Sequence, residues 1–283
     1  SSRQGIAVLQ HSQVQAADWI WLIDHSVQLG KMRVLIVLGI RQSELPVGRP
    51  LQKQDMQPLA VVPTQSRTKE DVASTLGELA ELVGKPIGVV SDGATELHEG
   101  VRILENKESE LVLLDDVKHK AANLLKRHLG KDARFTEFNS RVGQTNPSIQ
   151  QTELEHFLPP TKKTKSRFMN LSRLLDWAEM VRHHLQNSTA PGNRGITQER
   201  LQEKLGWLLE YEQDIQAWRE CREVVSTVLE FTNREGVQAG GSTEMNKLLD
   251  KRPTSNLAQQ IQRGLREVVK ENERKLTASA HAE

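Results

Sequence analysis

Two aspartates stand where a pair of acids could do chemistry. Asp24 closes a short apolar run, Trp19-Ile-Trp-Leu-Ile-Asp24, and Asp92 follows another, Ile87-Gly-Val-Val-Ser91. Each run has the length and residue types of a strand. If the two strands are parallel neighbours, both acids emerge at one end of a sheet, where open sheets gather ligands. Two adjacent carboxylates repel each other unless a cation lies between them, and an all-oxygen pair suits Mg2+ or Mn2+. Two such ions about 3.5–4 Å apart clamp the attacking and leaving oxygens of a phosphodiester during in-line displacement. On this reading Asp24 and Asp92 are both the catalytic residues and the metal ligands, and Gly93 lets the chain turn sharply beside them. A plainer role also fits the same residues. A strand-end aspartate is commonly a turn former, and Ser91-Asp92-Gly93 could cap a helix starting near Ala94.

The elements that must position these acids are legible in the hydrophobic pattern. Met32 to Ile40 is a continuous apolar run, typical of a strand buried on both faces. Leu59 to Pro63 and Leu111 to Leu114 are shorter strands. Val72, Leu76, Leu79 and Val83 fall on one helical face, which Gly84 and Pro86 terminate. Leu97, Val101 and Leu104 mark a second helix, and Val117, Ala121 and Leu124 or Leu125 a third. The first three strands have short connections and form a meander; the next two enter through helical crossovers and run parallel to a neighbour. This is the strand order of the RNase H-like fold: α/β, a mixed five-stranded sheet with flanking helices.

From about residue 150 the pattern is helical throughout. Phe168, Leu171, Leu174, Leu175, Ala178 and Val181 make one stripe, and Leu257, Ile261, Leu265 and Val268 another. The predicted organisation is a first part of the core at 1–145, a mostly α-helical insertion at 146–275, and the start of a return to the core at 276–283. A first residue that is not Met, and a last segment without a stop signal, read as a piece of a longer chain.

A third feature follows the fifth strand: Asp116-Val-Lys-His119, leading into Lys120-Ala-Ala-Asn-Leu-Leu-Lys126. With Leu-Ile-Asp24-His-Ser and Val-Val-Ser-Asp92-Gly, it makes the stretch from Trp19 to about Leu129 resemble a DDE-type DNA transposase. Bacterial insertion-sequence, Mutator-like and hAT-like transposases are the similar groups; the last two carry a Cys or Asp, two residues, then His, between the second acid and a helical insertion. The resemblance implies metal-dependent cleavage and strand transfer at transposon ends, with Mg2+ or Mn2+ as cofactor. It implies DNA, both transposon ends and target, as partner, a homo-oligomer assembled on that DNA, and a cytoplasmic, nucleoid-associated setting. Asp116 and His119 would support the active site or the scissile strand. The plainer alternative makes Asp116 a helix cap and His119 a surface residue. The family also needs a third carboxylate on a helix after the insertion. Glu179, Glu267, Glu271 and Glu273 lie in helical segments without a distinctive context, so the third acid is expected beyond Glu283. Two other functions stay open: an inactive, truncated or domesticated transposase that binds DNA, and an RNase H-like nuclease.

Composition narrows the partners. A formal net charge of +1 excludes a polycation, so phosphate contacts must come from local clusters. Lys118, Lys120, Lys126 and Arg127 surround the Asp116–His119 motif. Lys162, Lys163, Lys165 and Arg167 form a basic loop at the entry to the helical region. Trp177, Trp207 and Trp218 are candidates to stack on a flipped base, against the commoner role of core packing. The single cysteine, Cys221, excludes an internal disulfide framework. No apolar run is long enough to span a bilayer, so no membrane partner is expected.

Overall fold

The computed structural model describes residues 14–29, 32–47, 49–64, 68–105, 111–161, 171–187, 196–235, 241–249 and 253–280. It contains β1 (Trp19–Leu29), β2 (Met32–Arg41), β3 (Gln57–Thr64), α1 (Lys69–Val83), β4 (Pro86–Ser91), α2 (Thr95–Glu105), β5 (Val112–Asp115) and α3 (Val117–Leu129). There follow α4 (Ala133–Ile149), α5 (Leu171–Asn187), α6 (Gln198–Leu205), α7 (Glu212–Glu235), α8 (Gly241–Leu248) and α9 (Asn256–Ala280). The described part of the chain is a mixed five-stranded sheet with flanking helices, followed by a helical region.

The sheet order is β3-β2-β1-β4-β5, as expected of an RNase H-like domain. β1 is antiparallel to β2, and β2 to β3. β4 lies parallel to β1 and β5 parallel to β4, as the helical crossovers require. Along β1 the side chains alternate: Trp19, Trp21 and Ile23 enter the core, while Ile20, Leu22 and Asp24 are only partly covered. Val72, Leu76, Leu79 and Val83 of α1 and Leu97 and Val101 of α2 close over that face. Thr68 caps α1 by accepting from the Asp71 amide. Gly84, at φ +99°, ends it. Trp19 donates its indole N–H to the Val83 carbonyl at 2.8 Å, joining β1 to the end of α1.

Three expectations need correction. β1 does not end at Asp24; it continues to Leu29 because residues beyond the β4 edge still pair with β2. β3 does not stop at Pro63, because on an edge strand the missing N–H is not needed. β5 is displaced one residue, ending at Asp115 rather than Leu114.

The chain forms two compact units. One comprises Ser1–Lys120, Leu229–Lys247 and Arg266–Glu283; the other comprises Ala121–Val228 and Leu248–Leu265. The boundaries drawn from sequence at 145 and 275 fall inside α4 and α9. Hydrophobic periodicity identifies a helix but does not say which core its apolar face joins. In the second unit Phe135, Phe138, Tyr211 and Trp218 pack together, with Phe138 5.0 Å from Trp218 between ring centres. Arg134 pairs with Asp214 at 2.9 Å across α4 and α7.

Candidate functional site

The site is built at the carboxyl end of β4. The last parallel pair between β1 and β4 is Ile23 with Ser91. Asp24 and Asp92 are therefore the next residue on each chain, although β1 runs on as a hairpin arm. Asp92 leaves β4 through a turn in which Gly93 takes φ +82°, a conformation costly for a side chain. Asp24 is half-buried, and its carboxyl is held above the ordinary range by that burial and by the Asp92 charge. His119 and His25 pull it the other way, and Asp116 adds to the repulsion. The two aspartates and the Asp116–His119 pair thus share one electrostatic neighbourhood.

Asp116 and His119 are locked together. The Asp116 carboxylate accepts from the Lys118 and His119 amides at 2.7 and 3.2 Å through Oδ1. Its Oδ2 lies 2.6 Å from His119 Nδ1. Burial opposes the Asp116 charge, but His119 and these amides outweigh it, and its pKa falls below the usual carboxylate value. His119 rises above the ordinary histidine value, first through the Asp116 hydrogen bond, against the cost of burial, and further through the charges of Asp116, Asp24 and Asp92. The Asp116 amide donates to the Ser91 carbonyl at 2.7 Å, extending the β4–β5 ladder one step past the strands.

Of the plainer roles weighed in the sequence, Asp92 is a turn former ahead of α2 and Asp116 is a helix cap. Asp92 Oδ1 accepts from the Ala94 amide at 2.9 Å, and Asp116 caps α3. A carboxylate has two oxygens, however, and a cap uses one. Asp24 makes no such cap. His119 is half-buried and bonded to Asp116, not a loose surface residue.

The basic candidates separate. Lys118, Lys126 and Arg127 are exposed on α3. Lys120 is committed elsewhere: its ammonium lies 3.0 Å from Asp115 Oδ1 and against the Gly93 turn. Lys162, Lys163, Lys165 and Arg167 lie outside the described residues. Trp177 and Trp218 are core residues, donating to the Phe157 carbonyl and to Asp132. Trp207 is partly covered beside Phe138 and Tyr211. Of the glutamates considered, Glu179 pairs with Arg219, Glu271 with Arg274, and Glu273 accepts from the Ser242 amide. Glu267 is exposed. Among the described residues no group of three or more His, Cys, Asp or Glu side chains is placed to hold a metal ion.

Sequence reasoning missed Asp115 and Asn272. Asp115 collects Lys120, His98 at 3.3 Å and Lys275 at 3.7 Å. Burial first, and then the Lys120, Lys275 and Arg102 charges, push His98 below the ordinary histidine value, although the Asp115 charge favours its protonated form. Asn272 is fully buried on α9 and bonds the Asp115 backbone. A signal for it existed: Ile261, Leu265, Val269, Asn272 and Leu276 recur at helical spacing, with one amide interrupting an apolar stripe.

The sheet order and the two parallel crossovers define a mixed five-stranded α/β domain with flanking helices, in the strand order expected from the sequence. No family model and no curated protein matches this chain. Among solved structures it is similar to a chain of the Drosophila P element transposase strand transfer complex, at 12% identity and a TM-score of 0.38, over 100% of this chain and 73% of that one. At that score the likeness bears on neither the site nor its chemistry.

Proposed function

We propose that this chain carries part of a metal-dependent DNA strand-cleavage and strand-transfer site, as in DDE-type transposases. The observation that supports this best is the β1–β4 register: its last pair is Ile23 with Ser91, and Asp24 and Asp92 are the residues that follow on each strand. Two carboxylates that repel each other, one of them resisting ionisation, would suit a hard divalent cation as partial ligands. Asp24 and Asp92 would hold Mg2+ or Mn2+, which supplies charge stabilisation for the attacking and leaving oxygens of a phosphodiester. Asp116 holds the His119 ring in one orientation by its Nδ1 and favours its protonated form. His119 Nε2 can then donate to a phosphate oxygen of the strand in the site. Lys118, Lys126 and Arg127, with the basic loop at 162–167, would contact backbone phosphates without reading sequence.

Mg2+ can complete an octahedron with water, so two aspartates suffice for weak binding but not for fixing two ions. The third carboxylate is proposed to lie outside the described residues. The test is Mn2+ binding together with plasmid nicking, on residues 1–283 and on a chain extended past Glu283. Weak Mn2+ binding lost in Asp24→Asn and Asp92→Asn, with nicking confined to the longer chain, is the expected result. Absence of Mn2+ binding in both chains would sink the metal reading. A second reading, a DNA-binding protein without catalysis, is favoured by Asp92 giving one oxygen to the Ala94 amide in the turn ahead of α2. It predicts DNA binding without nicking in either chain.

A further inference from the structure

The Asp116–His119 pair stands at the end of β5, an edge strand whose described residues number only four, Val112–Asp115. Such a strand end has few ladder bonds to fix it. Asn272 supplies two more from 157 residues away in the sequence. Its side-chain oxygen accepts from the Asp115 amide at 3.0 Å, and its side-chain nitrogen donates to the Asp115 carbonyl at 2.8 Å. A primary amide used this way imitates a neighbouring strand, satisfying both groups of one residue. Asn272 is fully buried, so this pairing has no competition from water. Three residues along the same face of α9, Lys275 reaches the Asp115 side chain. The same helix segment, Arg266 onward, belongs to the compact unit that holds the sheet.

We infer that Asn272 is a positioning residue: by gripping the Asp115 backbone it sets the Asp115–Asp116 peptide, and through it the Asp116–His119 pair, against Asp24 and Asp92. The chain of contact is short. Asp115 is gripped by Asn272; Asp116, the next residue, is tied to the Ser91 carbonyl; its carboxylate orients His119. The site is then complete only when the last helix has docked. For the metal, this rests on the function proposed above; for His119, it does not.

The test uses the whole 283-residue chain. Two quantities are measured: the NMR resonances of the His119 ring, assigned with a His119→Gln variant, and Mn2+ affinity by EPR. Folded Asn272→Ala should shift the His119 resonances and weaken Mn2+ binding about tenfold, roughly 1.4 kcal/mol. Asn272→Asp should do the same, because a carboxylate oxygen then faces the Asp115 carbonyl where the amide donated. Arg274→Ala, an exposed change on the same helix, should alter neither. If Asn272→Ala does not fold, Asn272→Asp carries the test. Unchanged His119 resonances and Mn2+ affinity in the folded variants overturn the inference, whatever happens to the melting temperature; Asn272 is then a packing residue. If the unsubstituted chain binds no Mn2+, the metal reading fails and the His119 resonances alone decide.

Discussion

Asp24 is held in a place that disfavours its own charge, first by burial and then by Asp92. Its folded pKa is raised above the ordinary value near 3.9. In the window between the two values the folded state binds more protons, so stability falls as pH rises through it. Asp24→Asn should therefore stabilise the protein at neutral pH, by about 1–3 °C in melting temperature for a chain of this size. It should also abolish the stabilisation that millimolar Mn2+ gives the unsubstituted chain. A lower melting temperature for Asp24→Asn in metal-free buffer would contradict the charge argument. The charges of the Asp116–His119 pair, unlike that of Asp24, stabilise the fold. His119 is raised, so its contribution is complete below about pH 6.5 and is lost as pH rises through its folded value. Asp116 is lowered, so its contribution is present above about pH 4 and lost as pH falls through its depressed value. Urea unfolding of the metal-free protein should show a decline in stability from pH 6.5 to 9 that His119→Gln lacks. Equal slopes in both proteins would remove the pair from the account.

Elements hold these residues in place through their ends. α1 must stop abruptly to let β4 run parallel to β1, and Gly84 makes the stop. A Cβ there would sit 2.0 Å from the Ala16 carbonyl oxygen, which is backbone and cannot step aside, at φ +99°. Gly84→Ala should cost roughly 3 kcal/mol from strain and overlap together, seen as a lower urea midpoint with unchanged slope. Gly93 is a gentler case. A Cβ at Gly93 would press on the end of the flexible Lys120 side chain and meet Asp115 Oδ1 at ordinary contact distance, so the left-handed backbone is the main cost. Gly93→Ala should lose about 1–2 kcal/mol, and it should also displace Lys120 from Asp115. A Gly93→Ala protein as stable as the original would mean that the turn beside Asp92 relaxes without penalty.

For the molecule as a whole, a net charge of +1 means that DNA attraction must be local. If about four cations neutralise phosphates, binding should weaken roughly a hundredfold between about 50 and 200 mM salt. Replacing exposed Lys126 and Arg127 by Ala should flatten that slope by about two contacts without altering the fold. Fluorescence anisotropy with a short duplex measures it, and an unchanged slope would take α3 out of the DNA-binding surface.

The sequence by itself determined the kind and order of the strands and the faces of α1 and α2, because periodicity is a local property of the chain. It also singled out Asp24 and Asp92, because strand-end acids are local as well, and Asp116 and His119 through the resemblance to transposases. It misplaced the end of β1, since whether a strand continues depends on the neighbour it finds: Ser26 pairs with Val34 on β2 after β4 has turned away. Lys120 looked like one more phosphate contact until the fold set it on Asp115. Asn272 and Asp115 meet across 157 residues, and nothing local to either foretells the other. Tertiary structure alone decided which polar groups share a buried spot, because a buried amide or carboxylate takes its partner from whatever the folded chain brings within reach.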